Sequence, residues 1–169
     1  MDIPYIFLHI YFPIMTYIEV LARRAMAFNL PVLFVAREGV VLRDLFCEYC
    51  RLMGYSVKSD VIFVSRSVFE FDSIRNGSHA YMESLSKIYG SDSCERIYES
   101  HLKSLSGYLS NFNLSDWLLA DVGWGGTIEK SLNMMSGQSI KSCYFGVDGR
   151  YYNPNGEGVI LPTGADELV

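Results

Sequence analysis

Apolar positions along the first third of the chain alternate between two spacings. Ile14, Tyr17, Ile18, Leu21, Ala25 and Phe28 follow helical spacing and predict a helix over about 13–28, closed by Asn29 ahead of Pro31. Val32-Leu-Phe-Val-Ala36 is then continuously apolar and rich in β formers, the pattern of a strand covered on both faces in a parallel sheet. Past Gly39, helical spacing returns at Val41, Leu45, Phe46, Tyr49 and Leu52, and Gly54 stands where a helix stops. Asp60-Val-Ile-Phe-Val-Ser65 repeats the buried-strand pattern and runs into Arg66. Strand, helix and strand with short links predict a right-handed βαβ unit.

From Phe69 to Asn113 the pattern weakens and is mostly helical, with Asn76-Gly77-Ser78 as a turn, so 69–113 is expected to be a helical insertion or lid. A strand over 117–121, a helix over 126–135 and a strand over 140–147 follow. Helices between buried strands predict a three-layer α/β/α fold around a mostly parallel, doubly wound sheet. No repeat or low-complexity linker divides 1–169, so one domain is expected. The apolar start, from Met1 to Pro13, and the abrupt end at Ala165-Asp-Glu-Leu-Val suggest a fragment of, or partner to, a longer protein.

Composition narrows the classes. The 169 residues are 50% apolar with scattered charges at 20%, a globular balance. The net charge of -5 and the lack of a basic stripe argue against a nucleic-acid partner. The apolar start is interrupted by Pro4, His9 and Pro13 and lacks a basic leader region, so neither a signal peptide nor a transmembrane segment is expected. Cys47, Cys50, Cys94 and Cys143 are read as reduced thiols in a cytoplasmic setting. The Cys47-x-x-Cys50 pair falls late in its helix, away from the end where a helix dipole lowers a thiol pKa.

The densest chemistry lies in Trp117-Leu-Leu-Ala-Asp-Val-Gly-Trp-Gly-Gly-Thr127. An apolar strand ends on Asp121, and Gly123, Gly125 and Gly126 open the next helix, so backbone N–H groups and the helix N-terminus can converge on an anion. Asp121 is placed to hold a sugar hydroxyl or Mg²⁺ beside it. The plainer reading is a tight turn whose glycines permit close packing. Two further strand ends carry Ala36-Arg37-Glu38-Gly39 and Ser65-Arg66. In an open parallel sheet these ends share a rim, and two arginines facing a glycine nest suit a ligand with more than one phosphate. Strand 31–36 is therefore expected directly beside strand 117–121.

Phe34-Val-Ala-Arg-Glu-Gly39, Val64-Ser-Arg66 and Asp121-Val-Gly-Trp-Gly-Gly-Thr127 resemble the type I phosphoribosyltransferases. The nearer likeness is to a bacterial group fused to haloacid-dehalogenase (HAD)-type phosphatases in polysaccharide gene clusters. The resemblance covers roughly residues 13–148. It implies that Arg37, the backbone of Ala36, Glu38 and Gly39, and Mg²⁺ hold the pyrophosphate of phosphoribosyl pyrophosphate, with Ser65 and Arg66 on the same rim. Gly123, Trp124, Gly125, Gly126 and Thr127 would hold the 5-phosphate, and Asp121 the ribose and the metal. The classical pattern has two adjacent acids before the glycine loop, whereas Ala120 precedes Asp121 here. Trp124 stands where that loop has a small or hydroxylated residue, and no Asp-x-Asp phosphatase motif occurs in the chain.

Two functions follow as expectations. One is a pentosyltransferase that moves ribose 5-phosphate to a sugar hydroxyl in cell-surface polysaccharide synthesis, with Arg37 and Asp121 as its catalytic residues and Glu38 or Asp148 as candidate bases. The other is a non-catalytic nucleotide- or phosphate-binding module that serves a HAD-type phosphatase domain. A dinucleotide-binding reading is weaker, because the glycine loop comes late and lacks full G-x-G-x-x-G spacing.

Overall fold

The computed structural model describes residues 7–64, 87, 90–123, 126–146 and 156–160. Among the described residues, five strands form one sheet: β1 (Val32–Val35), β2 (Ser59–Ile62), β3 (Leu118–Asp121), β4 (Lys141–Gly146) and β5 (Gly156–Ile160). Four α-helices accompany them there: α1 (Phe12–Phe28), α2 (Glu38–Met53), α3 (Ser91–Leu109) and α4 (Thr127–Ser136). The strand order is β2-β1-β3-β4-β5, and every pairing is parallel.

Side-chain alternation along the strands builds both faces. Val32, Phe34, Leu118 and Ala120 point to one side, where Tyr17, Ile18, Leu21 and Ala25 of α1 and Leu42, Phe46 and Cys50 of α2 cover them. Leu33, Val35 and Leu119 point to the other, against Leu105 and Leu109 of α3 and Ile128 and Leu132 of α4. The layers are thus α/β/α, as the continuous apolar runs predict. Because Leu105 and Leu109 are buried in the second face, α3 is a core crossover helix at its C-terminal end.

Helix ends follow local chemistry. Asn29, at φ 53°, and Gly54, at φ 71°, take the left-handed conformation that closes α1 and α2, as the sequence suggests. β2 is shorter than the apolar run 60–65: the Ala36 N–H and the Val64 N–H both donate to the Ile62 carbonyl, and Phe63 turns out 68% exposed. Sequence periodicity did not indicate β5, whose five residues include two glycines and a glutamate.

Strand order fixes where a site can form. From β1 the chain moves outward to β2 through α2, then returns past β1 to β3 and continues to β4 and β5. The order therefore reverses between β1 and β3. Their following helices leave on opposite faces, α2 on the Phe34 side and α4 on the Leu119 side. A crevice between the two turns is the usual consequence.

Candidate functional site

The register pairs Val32 with Leu118 and Phe34 with Ala120, so the turn after β1 and the turn after β3 open on one rim. This is the adjacency that the strand-end pattern requires. Ser65, Arg66, Trp124, Gly125 and Asp148 lie outside the described residues. The rim is therefore described through Ala36 to Gly39 on one side and Asp121 to Gly123 with Gly126 and Thr127 on the other.

The β1 turn is strained and exposed. Arg37 has φ 79° and ψ −100°, a backbone conformation unusual for a residue with a side chain, and it caps the start of α2 without a side-chain cap bond. Its side chain is 83% exposed and its Nε lies 2.7 Å from Glu38 Oε1. The Nε–H donates to Glu38 Oε2 at 2.8 Å, and that hydrogen bond raises the guanidinium pKa and holds the Glu38 carboxyl below its ordinary range. Asp121 acts on Arg37 in the same direction, which links the two sides of the rim electrostatically. The Ala36 N–H is bonded to Ile62, so it belongs to the sheet rather than to a ligand. Gly39 serves packing: a Cβ there would stand 3.1 Å from the Phe34 Cβ, so glycine lets α2 start tight against β1.

On the β3 side the strand end is buried and bonded to the start of its turn. Asp121 is 8% exposed, and its Oδ1 accepts the Gly123 N–H at 3.0 Å. A Cβ on Gly123 would fall 2.7 Å from Asp121 Oδ2, so only glycine lets the carboxylate fold back over its own loop. Gly126 caps α4 at φ 60° and makes no side-chain cap bond. Thr127 is exposed. A Cβ on Gly126 would meet the Tyr144 hydroxyl at 3.1 Å, so this side chain and the left-handed backbone both favour glycine there.

Sequence reasoning missed the group beneath this turn. Glu129 occupies the third position of α4, where a glutamate commonly reaches back to cap the helix start. Here it is 1% exposed and turned inward, and its Oε2 accepts hydrogen bonds from both Ser142 Oγ and Tyr144 Oη of β4. Asn133 Nδ2 donates to Oε1 at 3.4 Å. Tyr144 pairs in register with Asp121, so the same strand position supports both the acidic strand end and the helix start. Burial, and then the Glu129 carboxylate, push the Tyr144 hydroxyl far above the ordinary phenol range, so it stays protonated as a donor. Only the tertiary pairing of β3 with β4 brings Glu129 and Tyr144 together.

Among the described residues no three His, Cys, Asp or Glu side chains gather as a metal set. Asp121 remains a fitting partner for Mg²⁺, which commonly takes one carboxylate together with substrate phosphates and water. Cys47 and Cys50 lie late in α2, where burial raises the Cys50 thiol, the opposite of an activated nucleophile. No helix of the described residues is long and apolar enough to cross a membrane. No protein-family model matches the chain, and no curated protein matches it.

Proposed function

We propose that the β1–β3 rim binds a phosphorylated ribose donor of the phosphoribosyl pyrophosphate type and transfers ribose 5-phosphate to a sugar hydroxyl of a cytoplasmic glycan precursor. The observation that carries this reading is the switch in strand order at β1 and β3, with both glycine-bearing turns on one rim. The resemblance of those turns to phosphoribosyltransferases supplies the substrate class.

In this reading Arg37 moves from Glu38 to the pyrophosphate, the first turn of α4 faces the 5-phosphate, and Asp121 orients the ribose and holds Mg²⁺. The metal would supply charge neutralisation on the leaving group. The acceptor oxygen bonds to ribose C1 as the bond from C1 to the pyrophosphate oxygen breaks, and the acceptor hydroxyl gives its proton to solvent water as pyrophosphate departs. Charge build-up is met by the clamp on the leaving pyrophosphate rather than by a strong base, which suits a Glu38 whose carboxyl is held acidic.

A second reading, a non-catalytic phosphate-binding module beside a HAD-type phosphatase, has its own support. Arg37 is engaged by its neighbour Glu38, and Asp121 Oδ1 by its own loop. Incubation of the chain with phosphoribosyl pyrophosphate, Mg²⁺ and a panel of glycan acceptors separates the two by mass spectrometry. Transfer adds a ribose that retains its phosphate and releases pyrophosphate, and Asp121→Asn, which keeps the oxygen that accepts the Gly123 N–H, slows it. Binding without transfer, with a phosphatase domain restored, favours the module. No binding overturns both.

A further inference from the structure

β2 lies at one end of the sheet: among the described residues it pairs with β1 and with no other strand. An edge strand leaves every second backbone N–H and C=O without a ladder partner, which makes it a template for another chain. The ladder shows which groups these are. Val32 N–H donates to the Lys58 carbonyl and Ala36 N–H to the Ile62 carbonyl, so the even-numbered residues of this segment face β1. Ser59, Val61 and Phe63 therefore turn their backbone groups outward. Two of these outward N–H groups are already taken by side chains. Val61 N–H donates to Asp60 Oδ1 at 2.7 Å, and Phe63 N–H donates to Tyr108 Oη at 2.9 Å. Asp60 is an exposed residue of β2 itself. Tyr108 reaches the edge from α3, its ring 5.5 Å from that of Phe112 and packed on the core of that face. A carboxylate and a phenol oxygen thus stand where the carbonyls of an added strand would have to go, and Asp60 brings a negative charge as well.

We infer that Asp60 and Tyr108 close the β2 edge against strand addition, and that the partner they exclude is the β2 edge of a second copy of this chain. The outward positions are self-complementary. An antiparallel pairing about a two-fold axis at Val61 sets Val61 against its own copy and Ser59 against Phe63. In that pairing Val61 N–H exchanges Asp60 for a carbonyl of the copy, and Phe63 N–H exchanges Tyr108 for another. Phe63, 68% exposed, is the apolar side chain at this edge that such a pairing would cover. The device is independent of any ligand at the β1–β3 rim.

The test uses the full chain, with mass read by light scattering after size exclusion and the contact located by amide hydrogen exchange in NMR. Asp60→Ala removes the first cap, and Tyr108→Phe removes the second while keeping the ring. In dilute protein each is expected to speed exchange of its own amide, Val61 or Phe63, by about five- to tenfold, as the loss of one hydrogen bond would. The double variant should then reach twice the mass of the unmodified chain at about 10–100 μM, with both amides protected again as it associates. Asp60→Asn keeps an oxygen for the Val61 N–H and should hold the unmodified mass. A double variant that also holds the unmodified mass overturns the inference, as does association that leaves the Val61 and Phe63 amides exchanging fast. Association of Asp60→Asn equal to that of Asp60→Ala would assign the effect to charge alone and overturn it too. Should the double variant fold poorly, the Ala-against-Asn comparison at Asp60 decides, with equal masses counting against the inference.

Discussion

Replacing Gly126 with alanine probes the support beneath the β3 turn without any ligand. Two costs arise. At φ 60° a side chain sits in the left-handed region, worth about 1–2 kcal/mol against glycine. The added Cβ also stands 3.1 Å from the buried Tyr144 hydroxyl, which must give by a few tenths of an ångström and so strains its bond to Glu129. Weakening that hydrogen bond costs about 0.5–1.5 kcal/mol. Together they predict about 1.5–3.5 kcal/mol of lost stability. In urea, with a slope of about 2 kcal/mol per molar, the midpoint should fall by about 0.7–1.8 M. Gly137→Ala is the internal reference: its φ of 67° imposes the same strain, but no heavy atom lies within 4 Å of the new Cβ. In a Tyr144→Phe background the contact is gone, and Gly126→Ala should cost only what Gly137→Ala costs. Equal losses from Gly126→Ala and Gly137→Ala in the unmodified chain would refute the assignment of Gly126 to Tyr144.

Alkaline denaturation offers a second check. Burial raises the Tyr17 hydroxyl, and burial with Glu129 raises that of Tyr144, so the folded state keeps protons that the unfolded chain releases. This stabilisation is complete below the unfolded value of about 10 and is lost as pH rises above it, by up to about 1.4 kcal/mol per pH unit for each tyrosine. Denaturation midpoints between about pH 9 and pH 11 should fall less steeply for Tyr144→Phe than for the unmodified chain; identical slopes would contradict the buried, protonated hydroxyl. At the β1 turn, Arg37→Gly should raise the urea midpoint by relieving the backbone at φ 79°, whereas Arg37→Ala should not. Both should weaken pyrophosphate binding by calorimetry.

The fold was legible where local chemistry decides it. Val32-Leu-Phe-Val35 and Leu118-Leu-Ala-Asp121 are buried along their whole length, so a continuous apolar run announces a central parallel strand. Asn29 and Gly54 announce helix ends because few other residues accept left-handed geometry cheaply. The placement of β1 beside β3 followed from the chemistry gathered at their ends. Legibility failed where partners come from elsewhere in the chain. Glu129 looks like a solvated helix-cap glutamate until β4 brings Ser142 and Tyr144 against it, 13 and 15 residues away. β5 gave no signal because its glycines carry no side chain to show a face.

The two sides of the rim differ in a way that bears on how a phosphorylated ligand would be read. On the β3 side, Asp121 is buried and the Gly123 amide is bound to it, so these two groups are ordered before a ligand arrives. The β1 turn presents Arg37, exposed and paired with Glu38 at the surface. A surface pair contributes little stability, so releasing the guanidinium to a phosphate costs little in low salt and is screened in high salt. Glu38 stays beside it as a fixed negative charge, which a single phosphate offsets poorly and a pyrophosphate with its metal offsets better. Under the proposed function, the β3 turn therefore supplies the anchor, and the β1 turn discriminates a donor that still carries pyrophosphate from the ribose 5-phosphate left after its loss.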